Sequence, residues 1–174
     1  MERKLFKVVI TAIIVKDGKY LVMQRAGWEK KFPLRWTVPG GKLSTDDYTN
    51  LPKDTPDYWY NVLEQTLRRE VMQESGLKIK NIRYVTSLAD NRPDTDPSLV
   101  ISCLADYASG KVKHDESMVA YQWVNLKEAK KIDLIEGIYD ELDMAEQVRK
   151  GKTIGELKIK KPKAKKVSKK KAKR

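Results

Sequence analysis

Arg69-Glu70-Val71-Met72-Gln73-Glu74-Ser75-Gly76-Leu77 is the stretch on which the reading of this 174-residue chain turns. Leu63, Leu67 and Val71 recur every fourth position, a period that predicts a helix with one buried face. Gly76 is a natural stop, and Thr55-Pro56-Asp57 offers a start, with Thr at the N-cap, Pro at the first helical position and an acid in the first turn. The expected helix runs from about Pro56 to Ser75. Positions i, i+3 and i+4 share a helix face with Cβ atoms about 5–6 Å apart. Glu70, Gln73 and Glu74 therefore project side by side, in the general direction away from the buried face. Two carboxylates and an amide oxygen make a hard-oxygen surface suited to Mg²⁺. The spacing by itself fits a solvated acidic helix end just as well, so its surroundings must decide.

Before this helix, residues 5–15 are rich in β-branched types, and Asp17-Gly18 divides them from Tyr20-Leu21-Val22-Met23, a strong hairpin signal. A short strand is expected at Arg35–Val38, closed by Pro39-Gly40-Gly41, followed by a polar surface loop over 42–55. Beyond it, strands are expected at Lys78–Leu88, Leu99–Tyr107 and Ala120–Val124. Asp133-x-x-Glu136 has the form of a capping box for a last helix reaching about Arg149, with Ile135, Ile138, Leu142 and Ala145 on one side. Strands and helices mixed in this order, hairpin first and without internal repeats, suggest an α/β or α+β fold and not a parallel dinucleotide-binding sheet.

Composition sets the limits. Hydrophobic residues make up 40% of the chain and charged residues 34%, a globular balance in one domain large enough to hold its own core. The formal net charge is +12, yet residues 158–174 contain 11 Lys or Arg and no acid, which leaves about +1 for residues 1–157. Cys103 is the only cysteine, so an internal disulfide and a cysteine-built metal site are both excluded; its apolar surroundings predict a small buried hydrophobe. Arg3, Lys4 and Lys7 precede the apolar stretch Val8–Val15, but no small-x-small cleavage pattern follows, and no apolar run approaches the roughly 18 residues of a membrane span. A cytoplasmic protein is the expectation.

The quoted stretch resembles the Nudix box: Gly, five residues, Glu, seven residues, then Arg-Glu-aliphatic-any-Glu-Glu-any-Gly-aliphatic. Arg69, Glu70, Val71, Glu74, Gly76 and Leu77 match in register, and Gly41 of Pro39-Gly40-Gly41-Lys42 supplies the leading glycine. The flanks are similar too, with Gln24-Arg25 before the Pro-Gly-Gly loop and Tyr121-Gln122-Trp123-Val124-Asn125-Leu126 before a short helix. The resemblance covers roughly residues 5–150. It implies a Nudix-type α/β/α sandwich around a mixed β-sheet within residues 1–155, and hydrolysis of a nucleoside diphosphate linked to another moiety, such as an ADP-ribose-like compound, or of a damaged nucleoside triphosphate. It implies Mg²⁺, with Mn²⁺ as a substitute, held by Glu70 and Glu74. Glu70 is also a candidate to orient or deprotonate the attacking water, Arg69 supports a box glutamate, and Gln73 and the Gly40 carbonyl are further candidate ligands. Family members often recruit another carboxylate from a later loop, for which Glu116 and its neighbour Asp115 are candidates; lone His114 beside them is expected to be a solvent-exposed loop residue. Arg25 and Lys42 are candidates to meet substrate phosphates. Pro93, sixteen residues after Leu77, resembles a proline of the ADP-ribose-hydrolysing branch, and Arg92 and Asp94 flank it. Trp28, Phe32 and Tyr84 either stack on a base or, as is usual for such residues, pack in the core.

The chain departs from the pattern in three places. Gln73 stands where the box has the first glutamate of its pair, so the site carries one formal charge fewer. Asn61 stands eight residues before Arg69, at the place of the leading glutamate, and residues 42–60 separate it from Gly41, about fourteen more than the box has. This expected insertion carries Tyr48, Tyr58, Trp59 and Tyr60, which either form a lid over a base or pack the lengthened helix start, packing being the simpler expectation. A catalytically weak, nucleotide-binding relative tethered to nucleic acid is therefore a second reading beside the enzyme. The tether would be the Lys-rich tail, residues 156–174, which has too little apolar surface to fold and is expected to be disordered. Lys165, Lys166, Lys169, Lys170 and Lys171 are its candidate contacts to phosphate backbones, without sequence preference; a tail with no dedicated partner and, more weakly, an anionic membrane surface are the alternatives.

Overall fold

The computed structural model describes residues 5–92 and 96–157. The hairpin is present: β1 (Lys7–Lys16) reverses through Asp17-Gly18 into β2 (Lys19–Arg25). Both turn residues have positive φ, 48° and 74°, the backbone whose twist matches that of two antiparallel strands. The chain continues through β3 (Trp36–Thr37), β4 (Gly40–Lys42), the short helix α1 (Asp46–Thr49), α2 (Val62–Ser75), β5 (Lys78–Asp90), β6 (Ser98–Ser109), β7 (Met118–Val124), α3 (Leu126–Ala129) and α4 (Ile138–Arg149), ending in a 3₁₀ turn at Ile154–Glu156.

The strands form one sheet in the order β3-β2-β1-β6-β5, with β7 paired to β2 and β4 to β1. β1 and β6 run parallel over nine residue pairs, from Lys7↔Ser98 to Val15↔Asp106, while the other pairings are antiparallel. The sheet is thus mixed, as expected. Side chains alternate across it. Ile10, Ala12 and Ile14 of β1 pack with Leu67 and Val71 of α2, whereas Ile13 packs on the opposite face with Leu142 and Ala145 of α4. Leu67, Val71 and Leu142 are fully buried, each contributing about 1.5–3 kcal/mol of burial. One helix on each face makes the α/β/α sandwich. Helix α4 is also locked by a polar contact: the fully buried ring of Tyr20 donates its hydroxyl proton to Glu146. Arg149 and Tyr20 together hold that carboxyl down at about 2, against the cost of partial burial, while burial and the same carboxylate raise the phenol.

Local chemistry redraws several expected boundaries. The segment from Thr55 to Tyr60 is not helical. Asp54 and Thr55 both donate their N–H to the Tyr58 carbonyl, Tyr58 N–H donates to the Thr55 hydroxyl at 3.0 Å, and Tyr60 N–H donates to the Asp54 carboxylate at 2.9 Å. These side chains compete with helical bonding and win, so α2 starts only after Asn61, whose φ of 56° is left-handed. The 42–55 region is not a plain loop either, since it completes β4 and contains α1. Of the insertion's aromatics, Tyr48 and Trp59 pack, with ring centroids 5.3 Å apart and the Trp59 indole donating to the Leu51 carbonyl, whereas Tyr58 and Tyr60 are exposed. The Asp133–Glu136 capping box does not form. Trp36 N–H donates to the Asp133 carbonyl and receives Ile135 N–H on its own carbonyl, tying this segment to β3, and α4 begins after Gly137. The capping box that does form is Asn125 with Glu128, at the start of α3. Trp28 and Tyr84 are exposed and not core residues. Cys103 is buried, which pushes its thiol up to about 11, as suits an inert side chain. No described helix is long and apolar enough to cross a membrane.

Candidate active site

Packing of α2 against β1 and β4 decides where the box side chains go. With Leu67 and Val71 in the core, Glu70 and Glu74 stand one helical turn apart over the backbone of β4. Gly40 N–H donates to the Glu74 carboxylate at 2.8 Å. At Gly41 an added Cβ would fall 2.1 Å from the carboxyl carbon of Glu70, so that carboxylate occupies the space that only a glycine leaves open. At Gly40 an added Cβ would fall 2.3 Å from the Ile10 carbonyl oxygen and 2.6 Å from the Thr11 Cα, which is backbone against backbone. Each glycine is thus required for a separate reason, one for the site and one for the sheet.

Glu74 does not lie on an outward acidic face beside Gln73, as helical spacing suggested; it turns inward. Burial pushes its carboxyl up to about 8, aided by the negative charges of Glu70 and Asp115 and opposed by the Gly40 N–H and the charge of Arg25. A half-buried carboxyl crowded by two like charges is a group that a cation would relieve. The donor set of Glu70, Glu74 and nearby peptide oxygens is of the hard-oxygen kind that Mg²⁺ accepts, so these residues fit the ion.

Arg69 is held by a residue that sequence reasoning missed. Its Nε donates to Asp47 Oδ1 at 2.6 Å, and the Asp47 side chain is only 6% exposed. The second Asp47 oxygen accepts from Ser44 N–H at 2.8 Å and from the Thr66 hydroxyl at 3.1 Å. Arg69 then donates to Glu70 at 2.9 Å and to Gln73 Oε1 at 2.7 Å. Asp47 sits where the leading glutamate of the box belongs when five residues are counted forward from Gly41. Counting backward from Arg69 gave Asn61, which is exposed and shapes the start of α2 instead. The extra residues therefore lie after Asp47, not between Gly41 and the acid, and the forward count was the available signal.

The other candidates separate. Exposed Gln73 gives its amide oxygen to Arg69. Glu116 is exposed in a turn, while Asp115 is the loop acid whose charge reaches Glu74; its carboxylate also accepts from Ser117. Arg25 is folded into its own loop, donating to Glu29 at 2.7 Å and to the Lys31 carbonyl at 2.9 Å. Lys42 is exposed at the end of β4. Among the described residues no group of three or more His, Cys, Asp and Glu side chains converges as a ready-made metal cage. Pro93 and the tail residues Lys165, Lys166, Lys169, Lys170 and Lys171 lie outside the described residues.

A mixed sheet between two helices, with a glycine strand and an Arg-Glu helix facing each other, is the architecture of one class of domain. The family model described as NUDIX domain matches residues 5–143, and the chain belongs to this family. Among curated relatives, the NAD-capped RNA hydrolase NudC of Pectobacterium atrosepticum is 53% identical over 53 residues, 30% of this chain and 19% of that protein. The same enzyme of Photorhabdus laumondii is 44% identical over 62 residues, 35% and 23% of the two chains. The match thus spans less than a quarter of the length of these relatives. Solved structures share the fold. A MutT NUDIX hydrolase from Burkholderia pseudomallei superposes with a TM-score of 0.64 at 19% identity, covering 81% of this chain and 98% of that one. The NUDIX domain of Shewanella oneidensis NrtR in complex with ADP ribose does so with 0.56 at 21%, covering 86% and 89%.

The two glycines make opposite mutants. Gly41→Ala meets only the flexible end of Glu70, so the protein is expected to fold with little change in Tm while the displaced carboxylate loses catalysis or metal binding by about tenfold or more. Gly40→Ala meets backbone and is expected to lower Tm sharply. Thermal melts alongside metal titration check both. Asp47→Ala is expected to cost about 2 kcal/mol by removing the more buried of the two carboxylates that Arg69 pairs with, with Asn61→Gly near neutral; denaturant titration of the two variants checks the assignment, and equal losses would overturn it.

Proposed function

We propose that this protein hydrolyses a phosphoanhydride bond in a nucleoside diphosphate derivative or a nucleoside triphosphate, using Mg²⁺ or Mn²⁺ held at Glu70 and Glu74. The observation that carries this is the pair of carboxylates held against the Gly40-Gly41 strand, one of them half-buried among like charges. When bound, the ion neutralises charge on bridging phosphate oxygens and makes water a stronger acid. The chain itself supplies the positioning. Arg69, anchored on Asp47, fixes the Glu70 carboxylate, which is only 16% exposed, and Glu70 is placed to orient the attacking water and accept its proton. Water oxygen bonds to phosphorus, the bridging P–O bond breaks, and the leaving phosphate carries away the electron pair. Because geometry and charge do most of this work, small displacements of Glu70 matter. The NudC relatives and the ADP ribose-bound neighbour support a nucleoside diphosphate substrate. Gln73 favours a second reading, a nucleotide-binding relative with weak turnover, since its amide replaces a charged group and is engaged by Arg69.

Release of phosphate or nucleotide from a panel of ADP-ribose, dinucleoside polyphosphates, NAD-capped RNA and oxidised nucleoside triphosphates is the direct test. Turnover of at least one that requires Mg²⁺ or Mn²⁺, stops with chelator and falls about a hundredfold or more in Glu74→Gln is the expected result. No turnover of any of them, with nucleotides still bound, would leave the second reading in its place.

The Lys-rich tail is proposed as a separate, non-specific contact to nucleic acid. Truncation after Gly155 is expected to abolish retention of RNA or DNA at low salt while leaving turnover unchanged; filter binding across a salt series measures it, and unchanged retention would remove the tail from the account.

A further inference from the structure

Where β1 ends, the α2 face of the sheet opens into a pocket of about 360 Å³ lined by Lys16, Tyr107, Lys111, Val112, Tyr121 and Trp123. Strand alternation gathers these side chains. Trp123 and Tyr121 of β7 stand opposite Leu21 and Met23 of β2, both members of the α2-side core. Tyr107 follows Ala105 of that core by two residues on β6, and Lys16 follows Ile14 by two on β1. Tyr107 and Trp123 are partly buried and meet edge to face, with ring centroids 6.4 Å apart. The Tyr107 hydroxyl donates to the Gly110 carbonyl at 2.7 Å, which fixes the ring. Tyr121 beside them is 44% exposed.

Charge is the second feature of this pocket. Lys16 lays its ammonium 4.3 Å from the centroid of the Tyr107 ring, and Lys111 enters from the β6–β7 loop. Among the described residues neither lysine has a carboxylate partner, and no acid lines the pocket. Lys19, opposite Lys16 across the hairpin, does have one, Glu128 at 3.7 Å. Ring faces and unneutralised cations together describe a ligand. A lone phosphate would leave the rings unused, and a neutral aromatic compound would leave the lysines unused. A duplex hides the faces of its bases. A single strand, which alternates flat heterocycles with phosphates, satisfies both. The pocket also adjoins the catalytic carboxylates, because the loop that supplies Lys111 and Val112 goes on to Asp115, whose charge acts on Glu74. Lys113 of the same loop donates its N–H to the Ser75 carbonyl at 3.0 Å, which ties the loop to the end of α2.

We infer that this pocket is a stacking site for single-stranded nucleic acid, one base lying on Tyr121 beside Trp123 and the flanking phosphates meeting Lys16 and Lys111. Every base has a ring face, so the site reads single-strandedness and not sequence. One base and two phosphates are too little to retain a strand on a filter. Joined to the Lys-rich tail in one chain, the contact becomes intramolecular and adds to what the tail holds. The two contributions differ in kind, since the tail responds to charge alone and the pocket requires bases.

That difference supplies the test. The full chain, with chelator present, is titrated with a short fluorescent oligothymidylate and with an abasic strand of equal length and charge, both carrying a 5′-hydroxyl. Anisotropy is expected to show the base-bearing strand bound about tenfold or more tightly than the abasic one. Tyr121→Ala is expected to remove most of that preference, and Tyr121→Phe, which keeps the ring, to retain it, with melting curves of both variants matching the parent. Lys111→Glu is expected to weaken binding of the base-bearing strand about threefold or more. Equal affinity for the two strands would assign all retention to charge and overturn the inference, as would a preference that survives Tyr121→Ala. Neither strand contains an anhydride, so the outcome stands apart from hydrolysis. Base-dependent binding without turnover of any nucleotide would sink the hydrolase reading alone, and turnover without base-dependent binding would sink this inference alone.

Discussion

The approach of α2 to β4 is the constraint from which the rest of the site follows. A helix bearing two glutamates one turn apart is brought so close to a strand that only a glycine, Gly41, fits beneath Glu70. The contact costs the protein two like charges at short range, one of them half-buried, and the Gly40 N–H and the charge of Arg25 only partly offset this. Such an arrangement is unfavourable as structure alone. It makes sense where a cation completes the charge balance, which is why burial and chemistry point to the same two residues.

Much of the fold was legible in the sequence because local and global signals agree there. The Asp17-Gly18 turn, the four-residue recurrence of Leu67 and Val71, and the apolar strand from Leu99 onward each have one good solution. The register of the box also fixed Arg69, Glu70 and Glu74 relative to one another. What the sequence hid was long-range or competitive. Asp47 reaches Arg69 across twenty-two positions of chain, and an interrupted motif counted from the wrong end pointed to Asn61. Thr55-Pro56 has the composition of a helix start, yet the side chains of Asp54 and Thr55 draw the backbone into a tight loop. The inward turn of Glu74 could not be read from helical periodicity, because the glycine strand that receives it is thirty-four residues away.

The two faces of the sheet divide the labour. Toward α2 the polar groups are charged and crowded around glycine backbone; toward α4 the buried acid Glu141 is bonded to the Ser102 hydroxyl and Glu146 to that of Tyr20. Thr11 and Gly40 are neighbours across one ladder and belong to both regions, so the sheet itself, and not a flexible linker, sets the spacing between them.

The position of the extra residues after Asp47 has a further implication. The acid that braces Arg69 comes before them, and left-handed Asn61 starts α2 after them, while Trp59 between packs back on Tyr48. The segment is thereby closed on itself at both ends. Its length is decoupled from the chemistry, which makes it the part of this domain most open to divergence: related chains are free to trim it, extend it or graft a new recognition element onto it without disturbing the hydrolytic core.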